Sequence, residues 1–593
     1  MLDSLTPPFD FNRILANKRA IRRQLVDRED LLEKRIALLG GSTLGEIRTI
    51  LELFLLDRGI QPVFYEGAYA SYFEELAFPN PALSDFAPDI IYVHTTFRNL
   101  TQFPHPAMTP EEREDLLTST YVGWKCMWEA AAERYGAVII QNNFEMPPYR
   151  VMGNMEAVHP NGSLRFIEDL NGRFYQYQRE TARFHIQDIN YLSALAGLDS
   201  WHDEKNWYLY QYALGLPAIP LLCHSLSSMI KALYGLNRKA LILDMDNTLW
   251  GGIIGDDGLT GIELGPETPQ GRAFADFQAY AGALSDRGVL LGISSKNDEA
   301  NALEGLNHPS FRLKREDFVS FRANWEPKHQ NLEAISQELN IGIDSLVFAD
   351  DNPAERQAVE GFLPQVEVLP LSASEPEASV RLLDRRGYFE MVSLSQDDIN
   401  RKAAYRDNIE REAVQASFQD YDHYLRSLEM VCHVDTVHAG NVERVTQLIN
   451  KTNQFNLTTL RLNQAEVECR ASSPDYLMLC GRLVDRFGDN GLVLVLSARM
   501  EGQLAEMELF LMSCRVFKRK LEDVMLHEAV LRLREAGVKK LKGLFLPTAK
   551  NGPAEDFYKE QGFTDLGQGI YELDLEAGRT CRDFAMEIIR DDA

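Results

Sequence analysis

The sequence lacks the features of several large protein classes. Its 593 residues carry 61 basic against 88 acidic side chains, and the net charge of −27 repels nucleic-acid backbones and anionic membranes. The seven cysteines form no C-x-x-C pair, which argues against a zinc ribbon and a disulfide framework. There is no run of about 18 uncharged apolar residues and no apolar signal-like region near the start. We therefore expect a cytoplasmic protein with reduced thiols that binds neither nucleic acid nor membranes.

The length and the order of apolar segments predict a multidomain α/β protein. At about 100 to 200 residues per domain, the chain corresponds to several domains. Short apolar runs that alternate with helical patterns predict α/β domains over residues 1–235 and 236–372. The polar segment 373–395 is predicted to be a linker, and residues 396–593 to form a mixed α/β domain.

Two acidic pairs follow apolar strands of the second predicted domain. Asp244 and Asp246 end the run LILDMD, and Asp350 and Asp351 end the run VFADD. Because parallel strands present their carboxyl ends at one edge of a sheet, we expect these carboxylates to face the same crevice. Carboxylates placed so close together require a cation, and oxygen ligands favour Mg²⁺. We therefore predict that these four residues hold a magnesium ion.

Further polar residues complete a recognisable pattern. Thr248 follows the first acidic pair, Ser295 ends the run GISS, and Lys328 lies in WEPKHQN. In this order the residues resemble the four motifs of the haloacid dehalogenase (HAD) superfamily of phosphotransferases. The resemblance implies that Asp244 is the nucleophile and that Asp246 is the general acid and base. Thr248, Ser295 and Lys328 would bind the phosphate.

Each acidic pair taken alone has another interpretation. Acids at strand ends also simply face solvent, and D-x-D-N-T resembles a calcium loop, although Leu249 stands where that loop requires glycine.

Only residues 250–270 separate the first motif from the next helix, so we expect a HAD-like parallel sheet without a large cap. An uncapped site implies a macromolecular substrate or a lid from another domain.

A second resemblance is strongest over residues 235–580. The strings LDMDNTLWGGIIGDDG, FADDNPAERQAV, QLINKTNQFNLTTLR and LMSCRVFKRKLE are similar to the FkbH-like family. The resemblance implies loading of a glyceryl unit from 1,3-bisphosphoglycerate onto a phosphopantetheinylated acyl carrier protein, for polyketide extender-unit biosynthesis. It also implies an order of steps. A cysteine captures the acyl group, the HAD site removes the remaining phosphate, and the glyceryl group then passes to the carrier.

The last domain resembles the GNAT N-acetyltransferase fold, in which an R/Q-x-x-G-x-G/A turn cradles coenzyme A. Here the turn begins at Arg515, and Lys518 and Lys520 replace both glycines, which argues against acetyl-coenzyme A binding. These cations would instead attract an acidic carrier or a phosphopantetheine phosphate. Cys514 directly precedes the turn, and neighbouring cations favour a reactive thiolate. The alternative is a buried cysteine with a packing role.

Polar clusters in the same domain are candidates for substrate binding. In LINKTNQFN we expect Asn453 to bind a hydroxyl or carbonyl of glycerate, together with its neighbours Lys451, Thr452, Gln454 and Asn456. Further candidates are the pairs Asp485–Arg486 and Thr548–Asn551. For all of them the alternative is that amides and hydroxyls cap helices and build turns.

The first domain resembles the SGNH (GDSL-like) hydrolases. Ser42 follows two glycines at a strand-to-helix turn, Asn142 follows a later strand, and Asp199 and His202 form a D-x-x-H pattern. The resemblance implies a Ser42–His202–Asp199 triad with an asparagine in the oxyanion hole. Gly41 departs from it, because that family usually has aspartate there. We expect a docking or lid role rather than an active esterase.

Two other functions fit the same sequence. The chain could be a HAD phosphatase for a different phosphomonoester, with flanking domains that take no part in catalysis. It could also be a non-catalytic scaffold that presents carrier proteins to a synthase. Formation of a glyceryl adduct on a carrier distinguishes the glyceryl loading implied by the FkbH-like resemblance from both of these alternatives.

Overall fold

The computed structural model describes residues 2–28, 31–415, 418–548, 551–576 and 584–591. The chain forms two compact units, residues 1–233 and 234–593. Each unit contains parallel strands between helices, so the predicted α/β multidomain fold class is confirmed. The six cysteines in the described ranges are free thiols, and Cys581 lies outside those ranges.

The first unit contains one parallel sheet with strand order β2-β1-β3-β4-β5. Apart from the edge strand β2, which is partly exposed, its strands are largely buried, because helices cover both faces of such a sheet. The strands are β1 Leu32–Gly40, β2 Ile60–Glu66, β3 Ile90–His94, β4 Val138–Asn142 and β5 Phe184–Gln187. The helices are α1 Phe11–Val26, α2 Gly45–Asp57, α3 Tyr72–Ala77, α4 Pro81–Phe86, α5 Pro110–Tyr135, α6 Ser163–Glu180, α7 Ile189–Ala196, α8 Leu198–Trp201, α9 Glu204–Tyr210 and α10 Ile219–Leu233.

Local signals in the sequence fix the ends of the longest helix of this unit. Thr109 and Glu112 form a capping box at the start of α5, and Gly136 ends the helix in the left-handed conformation.

A different helical stretch, Leu216–Leu233, has a mean hydropathy of 1.3 and is long enough to cross a membrane. However, 67% of it is buried inside the protein, as expected of a core helix.

The second unit begins with a parallel sheet of order β10-β9-β6-β7-β8. Its strands are β6 Ala240–Leu243, β7 Leu290–Ser295, β8 Phe318–Ala323, β9 Leu346–Asp350 and β10 Glu367–Pro370. Its helices are α11 Ile254–Asp257, α12 Pro269–Asp286, α13 Glu299–Gly305, α14 Lys328–Glu338, α15 Pro353–Phe362 and α16 Ser379–Arg385. Between the first acidic motif and α12 the chain forms only the four-residue helix α11, which confirms that no large cap is inserted there.

The segment predicted to be a linker packs against this second sheet. Residues 373–395 include α16, and Leu383, Tyr388 and Phe389 of this segment are buried in the same core as the strands. The polar composition that suggested a linker belongs to the exposed side of a short amphipathic helix.

The rest of the second unit is built on a mixed sheet of order β17-β18-β16-β15-β14-β13-β11-β19, with the short β12 paired to β15. Its strands are β11 Met430–Thr436, β12 Phe455–Asn456, β13 Tyr476–Asp485, β14 Gly488–Glu501, β15 Leu504–Met512, β16 Lys540–Leu544, β17 Thr564–Gly567, β18 Ile570–Asp574 and β19 Met586–Arg590. Its helices are α17 Gln396–Ile399, α18 Arg401–Gln415, α19 Tyr421–Ser427, α20 Val442–Lys451, α21 Gln464–Ser472, α22 Leu521–Glu535 and α23 Phe557–Glu560.

Candidate active site

Two predicted aspartates and the predicted lysine meet at the carboxyl edge of the second sheet. Strands β6 and β9 are neighbours, and Leu243 pairs with Ala349, so Asp244 and Asp350 leave the sheet side by side. Lys328, the first residue of α14, lies between them. Its Nζ is 2.7 Å from Oδ2 of Asp244 and 2.5 Å from Oδ2 of Asp350. All three side chains are buried, so this ion pair network is shielded from solvent.

The charges of these three groups are strongly coupled. Burial alone would lower the pKa of Lys328, but the carboxylates of Asp244 and Asp350 outweigh it and raise that pKa, so the lysine stays charged. Burial, followed by the charge of Asp244, raises the pKa of Asp350 to about 6. One ammonium group therefore does not fully compensate the buried carboxylates, and a further cation would stabilise them.

The acidic groups are arranged as a metal site. Carboxylate oxygens of Asp244, Asp350 and Asp351 all lie within 4.8 Å of one another. Oδ1 of Asp244 is buried and has no hydrogen-bond partner within the protein. Burial and then the charge of Asp244 raise the pKa of Asp351. Several oxygen ligands around an uncompensated negative charge fit a hard divalent cation such as Mg²⁺.

Asp246, the fourth predicted ligand, lies outside this carboxylate group. Its Oδ1 accepts hydrogen bonds from Nε1 of Trp250 at 2.9 Å and from the backbone N–H of Ile254 at 3.0 Å. Its Oδ2 accepts one from Nδ2 of Asn297 at 3.1 Å. Burial raises the pKa of Asp246, and the charge of Asp244 adds to this effect. The carboxyl group of Asp246 is thus held in place and suited to holding a proton. Asn297, two residues beyond Ser295, is a partner that no sequence pattern indicated.

The other predicted phosphate ligands lie at the same edge of the sheet. Thr248 is buried, and its Oγ1 has no hydrogen-bond partner within the protein. Ser295 is buried at the carboxyl end of β7, the strand next to β6. A buried hydroxyl without a partner is costly, so a ligand oxygen at this position would stabilise the site. Phosphate binding by these two residues stays a prediction.

A cavity in the second unit is lined by several of the residues predicted in the last domain. Its volume is about 370 Å³, and it lies between the second sheet and the mixed sheet. The predicted residues Cys514, Arg515 and Asn453 line it, as do Lys451, Thr452 and Gln454. Its lining contains five basic residues (Lys239, Arg401, Arg444, Lys451 and Arg515) and two acidic ones (Asp344 and Asp397). The basic residues still outnumber the acidic ones by five to three when Asp398, which pairs with Arg401 and Lys451, is included, and this balance favours an anionic ligand.

Two residues that are distant from Cys514 in the sequence contact it in the structure. The hydroxyl of Tyr405 lies 3.7 Å from its Sγ, and Nδ2 of Asn340 donates a hydrogen bond of 3.1 Å to its carbonyl oxygen. Burial, and then the presence of Cys514, raises the pKa of Tyr405, so this phenol keeps its proton. A protonated hydroxyl beside the sulfur is positioned to donate a hydrogen bond to a thiolate.

The turn after Cys514 keeps a backbone shape that favours glycine. Lys518 and Lys520 have φ angles of 63° and 59°, in the left-handed region, although both carry side chains. The candidate Asp485 has a structural role beneath this turn. It forms ion pairs with Arg411 at 2.8 Å and Arg519 at 3.0 Å, and all three side chains are buried.

The remaining candidate amides in this domain build turns. Oδ1 of Asn456 accepts a hydrogen bond of 2.8 Å from the backbone N–H of Thr459. Nδ2 of Asn551 donates to the carbonyl of Asn456 at 2.9 Å, and its Oδ1 accepts from the backbone N–H of Thr548 at 2.7 Å. These contacts match the alternative interpretation, in which such side chains satisfy the backbone.

A buried carboxylate anchors the cations of the cavity. Asp398 forms ion pairs with Arg401 and, at 3.2 Å, with Lys451, and it accepts a hydrogen bond from Ser395. Burial alone would raise its pKa, but Lys451 and Arg401 outweigh burial and lower the pKa to about 2. The pKa of a free aspartate is near 3.9, so the ionised form of Asp398 stabilises the folded state.

Replacing this anchor is expected to destabilise the second unit. Asp398→Asn should lower its free energy of unfolding at neutral pH by on the order of 2 kcal/mol. Because the folded-state pKa lies below the unfolded one, this contribution is present above about pH 4 and disappears as pH falls toward 2. Thermal unfolding across this pH range measures it, with the exposed Glu410→Gln on neighbouring α18 as control. An equal deficit at pH 2 and pH 7 would contradict the prediction.

The predicted hydrolase triad is not assembled in the first unit. Ser42 is buried, and its Oγ has no hydrogen-bond partner within the protein. Nε2 of His202 lies 3.2 Å from the carbonyl oxygen of Met146, and its Nδ1 has no partner. Asp199 is exposed on α8. Within the described residues, therefore, no hydrogen bond joins the serine, the histidine and the aspartate in the pattern that a triad needs.

The asparagine predicted for the oxyanion hole forms hydrogen bonds inside the core of the first unit instead. Asn142 is fully buried, accepts a hydrogen bond from Tyr92 and donates one to the carbonyl of Thr95. Asn99, which no sequence pattern indicated, donates a hydrogen bond of 3.4 Å from its Nδ2 to the carbonyl of Gly41. A Cβ at Gly41 would lie 1.8 Å from that nitrogen. This close approach explains why glycine, and not the expected aspartate, stands before Ser42.

Removing the serine hydroxyl is expected to leave catalysis nearly intact. Because no partner activates Ser42, Ser42→Ala should keep the two reactions that the sequence predicts, glyceryl loading and phosphate release, within a few-fold of wild type. Steady-state assays of both reactions provide the measurement. A loss of about 10³-fold or more, the scale for a catalytic nucleophile, would make the serine part of the chemistry.

Comparison with known proteins supports the phosphatase-like part of this architecture. The N-terminal part of BF1531 from Bacteroides fragilis, a structure containing a phosphatase domain complexed with Mg, is 28% identical with a TM-score of 0.59 and covers 65% of this chain and 100% of its own. The ribosomal-protein-S18-alanine N-acetyltransferase of Escherichia coli is 12% identical, with a TM-score of 0.20, over 26% of this chain and 99% of its own. That second likeness is too weak to inform on activity. No family model matches the chain, and no curated protein was found to be similar to it.

Proposed function

We propose that the chain is a Mg²⁺-dependent HAD-type phosphatase that also transfers a glyceryl unit from 1,3-bisphosphoglycerate to an acyl carrier protein. The observation that carries the phosphatase part is Lys328 held between Asp244 and Asp350 within a three-carboxylate group. The similarity to a Mg-bound phosphatase domain at a TM-score of 0.59 supports it. Glyceryl transfer rests on the FkbH-like motifs and on the basic cavity around Cys514.

In the phosphatase reaction, the protein supplies the nucleophile, the acid and charge compensation. Mg²⁺, held by Asp244, Asp350 and Asp351, would polarise the phosphoryl oxygens. Asp244 attacks phosphorus, and an aspartyl phosphate forms as the phosphorus–oxygen bond to the substrate breaks. Asp246 gives its proton to the leaving alkoxide and then takes one from the water that hydrolyses the aspartyl phosphate. Lys328 offsets the negative charge throughout.

In the transfer reaction, the cavity supplies a thiol and a cationic surface. The Cys514 thiolate attacks the acyl carbon of the substrate, the carbon–oxygen bond to phosphate breaks, and a thioester forms. The hydroxyl of Tyr405 lies beside the sulfur and stabilises the thiolate. Lys451 and Arg515 line the same cavity and can pair with the remaining phosphate.

Intact-mass analysis of a thiol acceptor tests this proposal. The enzyme is incubated with 1,3-bisphosphoglycerate, Mg²⁺ and either a phosphopantetheinylated acyl carrier protein or free pantetheine, which removes dependence on carrier identity. A glyceryl adduct on the acceptor is expected. Phosphate release without an adduct would favour a phosphatase for another phosphomonoester. The absence of both would favour a non-catalytic scaffold.

A further inference from the structure

The leaving group of the proposed phosphatase reaction lies beside Asp246. Asp244 attacks phosphorus in line with the bond that breaks, so the leaving oxygen stands on the far side of phosphorus from Asp244. The general acid must come within hydrogen-bond distance of that oxygen to give it a proton. The residues around Asp246 therefore determine which organic groups the site accepts next to the phosphate.

An exposed tryptophan is tied to the hydrogen-bond network of Asp246. Oδ2 of Asp246 accepts a hydrogen bond of 3.1 Å from Asn297. The next residue, Asp298, accepts one of 2.9 Å from Nε1 of Trp325. Trp325 is 69% exposed, although this hydrogen bond holds its indole ring in place. Covering an exposed aromatic ring is favourable, so a carbon chain beside Asp246 would be stabilised by packing on it.

A second apolar side chain lies on the other side of Asp246. Oδ1 of Asp246 accepts a hydrogen bond of 3.0 Å from the backbone N–H of Ile254. Ile254 is buried, whereas the preceding Ile253 is 47% exposed. Ile253 and Trp325 are thus each one residue away from a hydrogen-bond partner of the general acid. The two side chains provide apolar surface on both sides of the position where the leaving group must lie.

The exposed charges around Trp325 are mainly acidic. The loops that follow β7 and β8 carry three exposed acidic residues, Asp298, Glu299 and Glu326. The basic residue of these loops, Lys296, forms an ion pair of 2.6 Å with Glu355. A carboxylate or a second phosphate on the leaving group would therefore meet charges of its own sign.

We propose that the phosphatase site selects an uncharged leaving group that packs on Trp325 and Ile253. This inference rests on the proposed phosphatase reaction and narrows its substrate class. An uncharged chain covers the apolar surface without placing negative charge beside Asp298 and Glu326. A phosphoglyceryl thioester meets both conditions, because its first carbon is uncharged. Free 3-phosphoglycerate and 1,3-bisphosphoglycerate do not, since the same carbon carries a carboxylate or an acyl phosphate.

Phosphate release from three phosphomonoesters tests the inference. The esters are S-(3-phosphoglyceryl)pantetheine, glycerol 3-phosphate and 3-phosphoglycerate, each supplied with Mg²⁺. The last two differ in the charge at the first carbon, so the ratio of their kcat/KM values isolates charge selection. The thioester and glycerol 3-phosphate differ in the length of the uncharged chain. For wild type we expect the highest kcat/KM with the thioester and the lowest with 3-phosphoglycerate, about fivefold or more below glycerol 3-phosphate.

Three variants separate the ring from the charges. Trp325→Ala should lower kcat/KM for the thioester about three- to tenfold and have a smaller effect on 3-phosphoglycerate. Trp325→Phe keeps an aromatic surface without the hydrogen bond to Asp298, and it should retain most of the preference for the thioester. Glu326→Gln should raise kcat/KM for 3-phosphoglycerate relative to glycerol 3-phosphate. Thermal unfolding shows whether each variant is folded.

Other results would overturn the inference. If wild type hydrolyses 3-phosphoglycerate as fast as glycerol 3-phosphate, the loop acids do not select against charge. If folded Trp325→Ala lowers the rates with all three esters equally, or lowers none of them, the ring does not contact the leaving group. If wild type hydrolyses none of the three esters, the proposed phosphatase reaction itself fails, and wild type alone reveals that failure.

Discussion

Asp244→Asn is expected to reduce phosphate release by at least about 10³-fold. The amide keeps the shape of the side chain but removes the nucleophilic charge, one ligand of the carboxylate group and the ion pair with Lys328 at 2.7 Å. Phosphate release from a phosphomonoester, measured with and without Mg²⁺, checks the effect. Removal of Mg²⁺ from wild type should cause a comparable loss.

A matched control separates this effect from a general loss of acidic charge. Asp256 is exposed on α11 of the same domain, and Asp256→Asn should retain wild-type activity. Thermal unfolding of both variants shows whether each one is folded. Substantial turnover by folded Asp244→Asn would refute the HAD-type mechanism, whatever the substrate.

Cys514→Ala is expected to abolish loading of the acceptor thiol, a loss of about 10³-fold or more. The thiol is the acyl acceptor in the proposed reaction, and neither Tyr405 nor the cavity cations can replace it. Intact-mass analysis should show an acyl adduct on wild-type enzyme, a phosphoglyceryl adduct on Asp244→Asn and no adduct on Cys514→Ala.

The exposed Cys469 on α21 offers a matched control for this substitution. Cys469→Ala removes a thiol from the same domain, and it should load the acceptor like wild type. If Cys514→Ala still formed glyceryl-acceptor at near wild-type rate, Cys514 would be a packing residue. The acyl group would then move directly from 1,3-bisphosphoglycerate to the acceptor.

The phosphatase site could be predicted from sequence because each part is local. Asp244 and Asp350 each end a buried strand, and parallel pairing of these strands is sufficient to place the two carboxylates together. Lys328 also belongs to a recognisable motif. The hydrogen bonds of Asp246 could not be predicted in this way, since Asn297 and Trp250 reach its carboxylate only through the folding of loops.

Features that depend on packing between distant segments were not predictable. Tyr405 on α18 and Asn340 in the turn after α14 are far from Cys514 in sequence, and no pattern links them to it. Strand β5 is only four residues long and contains two polar residues, so it lacks a strand-like pattern. The cavity around Cys514 depends on how the mixed sheet packs against the second sheet, which periodicity does not encode.

The left-handed lysines after Cys514 have a consequence for substitutions in this turn. The backbone at Lys518 and Lys520 has a shape that glycine also adopts, so the shape of the turn and the chemistry of its side chains can change independently. Exchange with glycine in either direction needs no rearrangement of the chain, since glycine adopts positive φ angles freely. Replacing Lys518 and Lys520 with glycine would therefore remove two cations from the surface beside Cys514 while the shape of the turn stays the same.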